Sequence, residues 1–146
     1  MKILVSACLL GVGCRYDGKS KPADEVIALS KKYELIPVCP EILGGLPTPR
    51  IPCEIRNGRV INREGEDKTA EYTRGAKEVL RLARLLNCTA AVLKKKSPSC
   101  GEGEIYDGSF SGKITQGDGI CAALLKKNGI RILNETEINK LQDGGL

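Results

Sequence analysis

Three cysteines, Cys8, Cys39 and Cys100, stand at or just past the end of apolar runs that read as β-strands, in KILVSAC, LIPVC and AAVLKKKSPSC. Thiolates are the soft ligands that hold zinc and iron-sulfur clusters. The chain has seven Cys and no His, so acid-base work falls to Asp, Glu, Lys, Tyr or Cys itself. If the three strands are parallel, all three thiols meet on one sheet edge, where open α/β folds place their ligands. A single buried cysteine is ordinarily just a small hydrophobe. Three at equivalent strand ends favour a site, and each leads into a Gly- or Pro-rich loop, in CLLGVG, CPEILGG and SPSCGEG. Such loops let backbone approach a bound group and donate amide hydrogen bonds to its sulfurs.

The same residues leave the bound group open. A structural zinc site wants four closed ligands, which Cys14 or Cys53 could complete, whereas catalytic zinc usually mixes in His or carboxylate. A four-iron cluster can be held by three cysteines with one iron left for Lewis-acid chemistry. A cysteine nucleophile working without metal is the third possibility. Glu41, two residues beyond Cys39, is the acid nearest the thiols and could serve as general base for water or simply accept loop amides. Ser97 and Ser99 flank Pro98 before Cys100 and offer hydroxyls to a substrate or to their own loop. Cys88, at a helix-strand junction, and Cys121, in ICAALL, read as packing residues. Lys94, Lys95 and Lys96 read as a solvated basic run. Gly101-Glu102-Gly103 and Gly117-Asp118-Gly119 lack a full phosphate-loop pattern and read as turns and helix starts.

The elements that must position these groups follow from periodicity. Residues 2–7 form a first buried strand, and the Gly-rich segment 9–18 covers its end. A helix runs from Asp24 to about Lys32, with Ala23, Val26, Ile27 and Leu29 on its apolar face. Residues 35–38 form a second strand. The segment from Cys39 to Cys53 holds four prolines and two adjacent glycines and reads as a long loop without a regular helix. Residues 54–63 alternate around Asn57-Gly58, a hairpin signal, and the ribbon is assigned no chemistry. Asp67 caps a helix to about Asn87 with Tyr72, Ala76, Val79, Leu80, Ala83 and Leu86 on one face. Residues 89–93 make a third strand, 94–112 a loop, 119–127 a helix capped by Gly129, 130–133 a fourth strand and 135–142 a terminal helix. Strand-helix-strand alternation predicts a single α/β domain over residues 1–146: a small, mainly parallel sheet flanked by helices, Rossmann-like or flavodoxin-like, with a small β-hairpin excursion.

A chain of 146 residues can bury about 70% of its unfolded surface without covalent staples. Its start lacks the long apolar core and cleavage site of a leader, and no stretch approaches the roughly 20 apolar residues of a membrane span. A cytoplasmic location and no membrane partner are therefore expected, with the odd cysteine set serving metal, catalysis or burial rather than disulfides. The net charge of +5 suits an anionic partner or an ordinary surface. Aromatics are 3%, with one Phe and no Trp, so no stacking platform is evident and nucleic acid is a minor expectation.

Taken together, SACLLGVGCRYDG, PVCPEILGGLPTPRIPCEI, LKKKSPSCG and IYDGSFSGKITQGDGICAALL closely resemble the TudS-like 2-thiouracil desulfidases, long catalogued as a domain of unknown function. These four blocks span nearly the whole chain. The resemblance implies a 4Fe-4S cluster on Cys8, Cys39 and Cys100, with Cys53 as rival for the middle position and one iron open to substrate sulfur. It implies a small-molecule thiolated nucleobase as substrate, uracil and hydrogen sulfide as products, Glu41 activating water and Ser97 holding or protonating substrate. It also admits sulfur transfer in the opposite direction, with a transfer RNA as a less favoured partner.

Overall fold

The structure is a computed structural model that describes residues 1–142. Its centre is a four-stranded sheet of β1 (Lys2–Ser6), β2 (Glu34–Val38), β5 (Ala90–Leu93) and β8 (Arg131–Asn134), in the order β2-β1-β5-β8 and parallel throughout. Strands covered on both faces read as near-continuous apolar runs. β1 and β5 do so: Ile3, Leu4, Val5 and all of Ala90 to Leu93 are fully buried. Leu4, Ala91 and Leu93 face α3 (Thr69–Leu85) and α4 (Ile120–Lys127), while Ile3, Val5, Ala90 and Val92 face the layer holding Val26 and Leu29. β2 is an edge strand, which is why it tolerates Pro37, whose missing N–H removes no ladder bond there. The α/β architecture therefore stands as expected. The chain steps from β1 to β2 on one side, then crosses to β5 on the other, which puts the topological switch between β1 and β5.

Several local expectations are corrected. The Cys39–Cys53 stretch is not without helix, since α2 (Pro40–Leu43) forms one turn there. Pro40 occupies its first position, where the missing N–H is no loss and the fixed φ favours the helix. The helix expected over 24–32 is α1 (Asp24–Ile27) tightening into a 3₁₀ segment at Ala28–Lys31, and Ile27 is exposed rather than on the buried face. The 94–112 loop contains β6 (Glu104–Tyr106), paired antiparallel with β7 (Ile114–Gln116); three-residue strands fall below any periodicity signal. The terminal helix is only α5 (Asn139–Gln142), because residues 135–136 and 138 are in turns. β3 (Cys53–Arg56) and β4 (Arg59–Asn62) pair around Asn57-Gly58 as expected. Asp67 is not the N-cap of α3, a position Lys68 holds, and the helix ends at Leu85; Asp67 instead supports the approach to the helix, its Oδ1 accepting the Thr69 N–H at 2.8 Å.

α3 buries Tyr72, Ala76, Val79, Leu80 and Ala83, and it carries α2 on Gly75. A Cβ at Gly75 would fall on the Pro40 carbonyl oxygen, and one at Gly44 on the Glu71 carbonyl oxygen. The two backbones therefore approach as closely as glycine alone allows. Gly75→Ala must push α2 away from α3; the expected loss is about 1–3 kcal/mol, as for other overpacked sites, read as a lower urea midpoint at unchanged m-value.

Candidate active site at the sheet edge

Parallel pairing carries the three thiols to one place. Ser6 is in register with Val38, so the chain beyond β1 and the chain beyond β2 emerge level. Cys8 lies in the 3₁₀ turn Ala7–Leu10 that follows β1, closed by Gly11 at φ 97°. Cys39 is the extended N-cap of α2. Cys100 ends the turn after β5, where the Ser97 hydroxyl oxygen accepts the N–H groups of Ser99 and Cys100, each at 3.0 Å. That leaves the Ser97 hydroxyl proton free to donate.

All three thiols line one cavity of about 370 Å³, together with Glu41 and Ser97. Five of the seven cysteines are in this wall, because Cys14 and Cys53, undecided from sequence, join it, while Cys88 and Cys121 pack elsewhere as expected. No three Cys, Asp or Glu side chains among the described residues form a group that could hold a single metal ion. The thiols are distributed along the cavity wall, with Cys14 in contact with both Cys8 and Cys39. The Cys39 Sγ lies 3.8 Å from the Cys14 carbonyl and 4.0 Å from Glu41 Oε1.

Contact with the Cys14 thiol, burial and the Glu41 charge all push the Cys39 pKa up. Burial, then Glu41, pushes Cys100 well above the ordinary thiol range. Burial raises Cys53 against a lowering contact with the Tyr72 hydroxyl. For Cys14 the Cys39 contact lowers the pKa, but the Cys8 contact and burial outweigh it and the net shift is upward. A soft metal group displaces such protons and supplies the positive charge that so many neighbouring thiolates lack, so the donor set fits an iron-sulfur cluster.

Sequence reading missed Arg50. Its side chain is 6% exposed, donates from Nη2 to the Cys14 carbonyl at 3.0 Å and from Nη1 to Pro47 O and Thr48 Oγ1, each at 3.2 Å. Its Nη2 also lies 3.6 Å from Glu41 Oε2, itself 13% exposed. Burial raises the Glu41 pKa and the Arg50 charge opposes the shift. An arginine inside a Pro-rich loop between two candidate ligands was the available signal. Ser6 was missed as well; its Oγ accepts the Lys94 N–H at 2.9 Å and ties β1 to the loop after β5 at the switch.

Three expectations change at this cavity. The β3–β4 hairpin, assigned no chemistry, brings Cys53 and Glu54 into the wall. Lys94, Lys95 and Lys96 are half-buried wall residues rather than a solvated run, and Lys94 pairs with Glu135 at 3.1 Å. Tyr16, Tyr72, Tyr106 and Phe110 all line the cavity, leaving Tyr33 alone elsewhere, so scarce aromatics are locally concentrated.

A family model described as 2-thiouracil desulfurase matches residues 3–137. The chain belongs to the 2-thiouracil desulfurase family. Its relatives include an uncharacterised protein of Bacillus subtilis (strain 168), YbbK, 42% identical over 95% of this chain and 99% of the relative. A solved structure, the 4Fe-4S-dependent thiouracil desulfidase TudS, superposes with a TM-score of 0.93 at 43% identity, covering 98% of this chain and 96% of that one. In this desulfurase-family chain the cavity at the β1/β5 switch is the place where thiols, a half-buried carboxylate and a serine hydroxyl meet.

Proposed function

We propose that the protein is an iron-sulfur-dependent desulfidase that removes sulfur from a thiolated nucleobase such as 2-thiouracil, giving uracil and hydrogen sulfide. The observation that carries this reading is the meeting of Cys8, Cys39 and Cys100, far apart in sequence, with Glu41 and Ser97 on one cavity. Cys8, Cys39 and Cys100 would hold a 4Fe-4S cluster, which supplies a soft Lewis acid for the thione sulfur.

The protein's own groups have separable tasks. Glu41, oriented by the Arg50 guanidinium at 3.6 Å, takes a proton from the water that attacks the thione carbon. Ser97 donates a hydrogen bond from its hydroxyl to a heteroatom of the ring and keeps its proton, since its lone pairs are committed to the Ser99 and Cys100 amides. Arg50 also fixes the Cys14 carbonyl, so the loop after β1 and helix α2 are held as one wall. The net reaction exchanges a thione sulfur for a water oxygen and is redox-neutral. Both water protons leave with the sulfide: one is taken up by Glu41 as water attacks, and the second is released from the added hydroxyl as the carbonyl forms.

Anaerobically reconstituted protein is expected to be brown, to contain iron and acid-labile sulfide, and to release sulfide from 2-thiouracil with equimolar uracil. Full turnover by colourless, iron-free protein would overturn the reading.

A further inference from the structure

Among the described residues, four non-glycine residues hold positive φ: Asn57, Asn87, Lys96 and Phe110. Asn57 sits in the β3–β4 turn and Asn87 just past α3, and asparagine tolerates this region. Lys96 at φ 70° and Phe110 at φ 56° are residue types that avoid it, and both line the thiol cavity. Side chains are kept in such conformations only where their surroundings impose them, and these positions gather at ligand sites.

The agent at Phe110 is a buried carboxylate that the desulfidase chemistry does not use. Glu54 is 8% exposed, and its Oε1 accepts the N–H groups of Gly108 at 3.0 Å and Phe110 at 3.1 Å. The neighbouring Arg56 donates to the Gly108 carbonyl from Nε at 3.1 Å and from Nη2 at 2.7 Å. Gly108 is at φ 92° and so close to β3 that a Cβ would lie 2.7 Å from the Ile55 carbonyl oxygen. One side of the β3–β4 hairpin thus clamps the loop between β6 and β7. The Arg63 guanidinium, one residue past β4, stands 5.7 Å from the centroid of the Phe110 ring.

We propose that Phe110, backed by Arg63, is the stacking platform for the planar ring of the substrate and the residue that selects heteroaromatic thiones; this rests on the desulfidase reading. A pyrimidine presents polar edges and flat apolar faces, so edge donors such as Ser97 orient it only if a flat surface fixes its plane. The chain has one Phe, and the Glu54 clamp places it in the cavity wall in a conformation phenylalanine disfavours. A guanidinium near a π-ring adds electrostatic attraction and rigidity to the platform. Stacking of one base on an aromatic side chain corresponds to about tenfold to hundredfold in affinity.

The test uses cluster-loaded protein under anaerobic conditions with Phe110→Leu, Phe110→Trp and Phe110→Gly. Phe110→Leu and Phe110→Gly are expected to raise KM for 2-thiouracil, and the inhibition constant of uracil, about tenfold or more, with kcat and iron content little changed. Phe110→Trp keeps wild-type affinity. Phe110→Gly melts at or above the wild-type temperature, because glycine adopts this φ without strain. An unchanged KM in Phe110→Leu, or a lowered melting temperature with loss of iron in Phe110→Gly, overturns the proposal and marks Phe110 as scaffold. If the wild type released no sulfide, the desulfidase reading would fall on its own. Calorimetric titration with uracil would still decide the platform: about tenfold weaker binding to Phe110→Leu supports it, and equal binding overturns it.

Discussion

Cys100→Ala is expected to give a folded protein that stays colourless and iron-free after anaerobic reconstitution and releases no sulfide from 2-thiouracil. Cys100 is 4% exposed in a turn fixed by Ser97, so its thiol cannot be replaced by a neighbour without breaking that turn. Alanine keeps the small buried volume, so far-UV circular dichroism and the melting temperature of the iron-free protein should stay near wild type. The same loss is expected for Cys8→Ala and Cys39→Ala. Cys53→Ala should retain iron, because Cys53 opens β3 and packs with Val60 and Tyr72. Iron retained in Cys39→Ala but lost in Cys53→Ala would exchange the two assignments.

Glu41→Gln should load iron like wild type and lose about 10²- to 10⁴-fold in kcat, the range for removing a general base. Gln preserves shape and keeps an oxygen facing Arg50, so the change isolates proton uptake from packing. Glu41→Asp, which draws the carboxylate back by one methylene, should recover only part of the rate. A Glu41→Gln enzyme within a few-fold of wild type would remove this residue from the water-activating role and leave it as a partner for Arg50.

Much of the site was legible because parallel α/β topology is governed by local rules. Apolar runs of four or five residues alternating with helical periodicity specify parallel strands, and parallel strands put their ends together. The placing of Cys8, Cys39 and Cys100 on one cavity needed nothing more, and that of Glu41 followed from its standing two residues beyond Cys39. The helix bearing Glu41 is not legible in the sequence, because proline ordinarily breaks helices whereas Pro40 acts as an initiator at the first helical position. The half-burial of Lys94, Lys95 and Lys96 is not legible either, because a charge run has the same appearance whether water or a cavity covers it.

The sequence alone determined the four central strands, the β3–β4 hairpin and helices α3 and α4, their order, and the three thiols at equivalent strand ends, because strand and helix periods and turn residues act over a few positions; α2, β6 and β7 are too short to leave such a period. Only the tertiary structure decided the rest of the wall: Cys14 and Cys53 beside the trio, Arg50 bridging Glu41 to the loop after β1, and Glu54 clamping Phe110. Those contacts join residues far apart in the chain, through side-chain directions set by how β3, β4 and the β6–β7 loop fold over the sheet edge. Composition averages over the whole chain, so it registered few aromatics, whereas folding placed four of the five around one cavity.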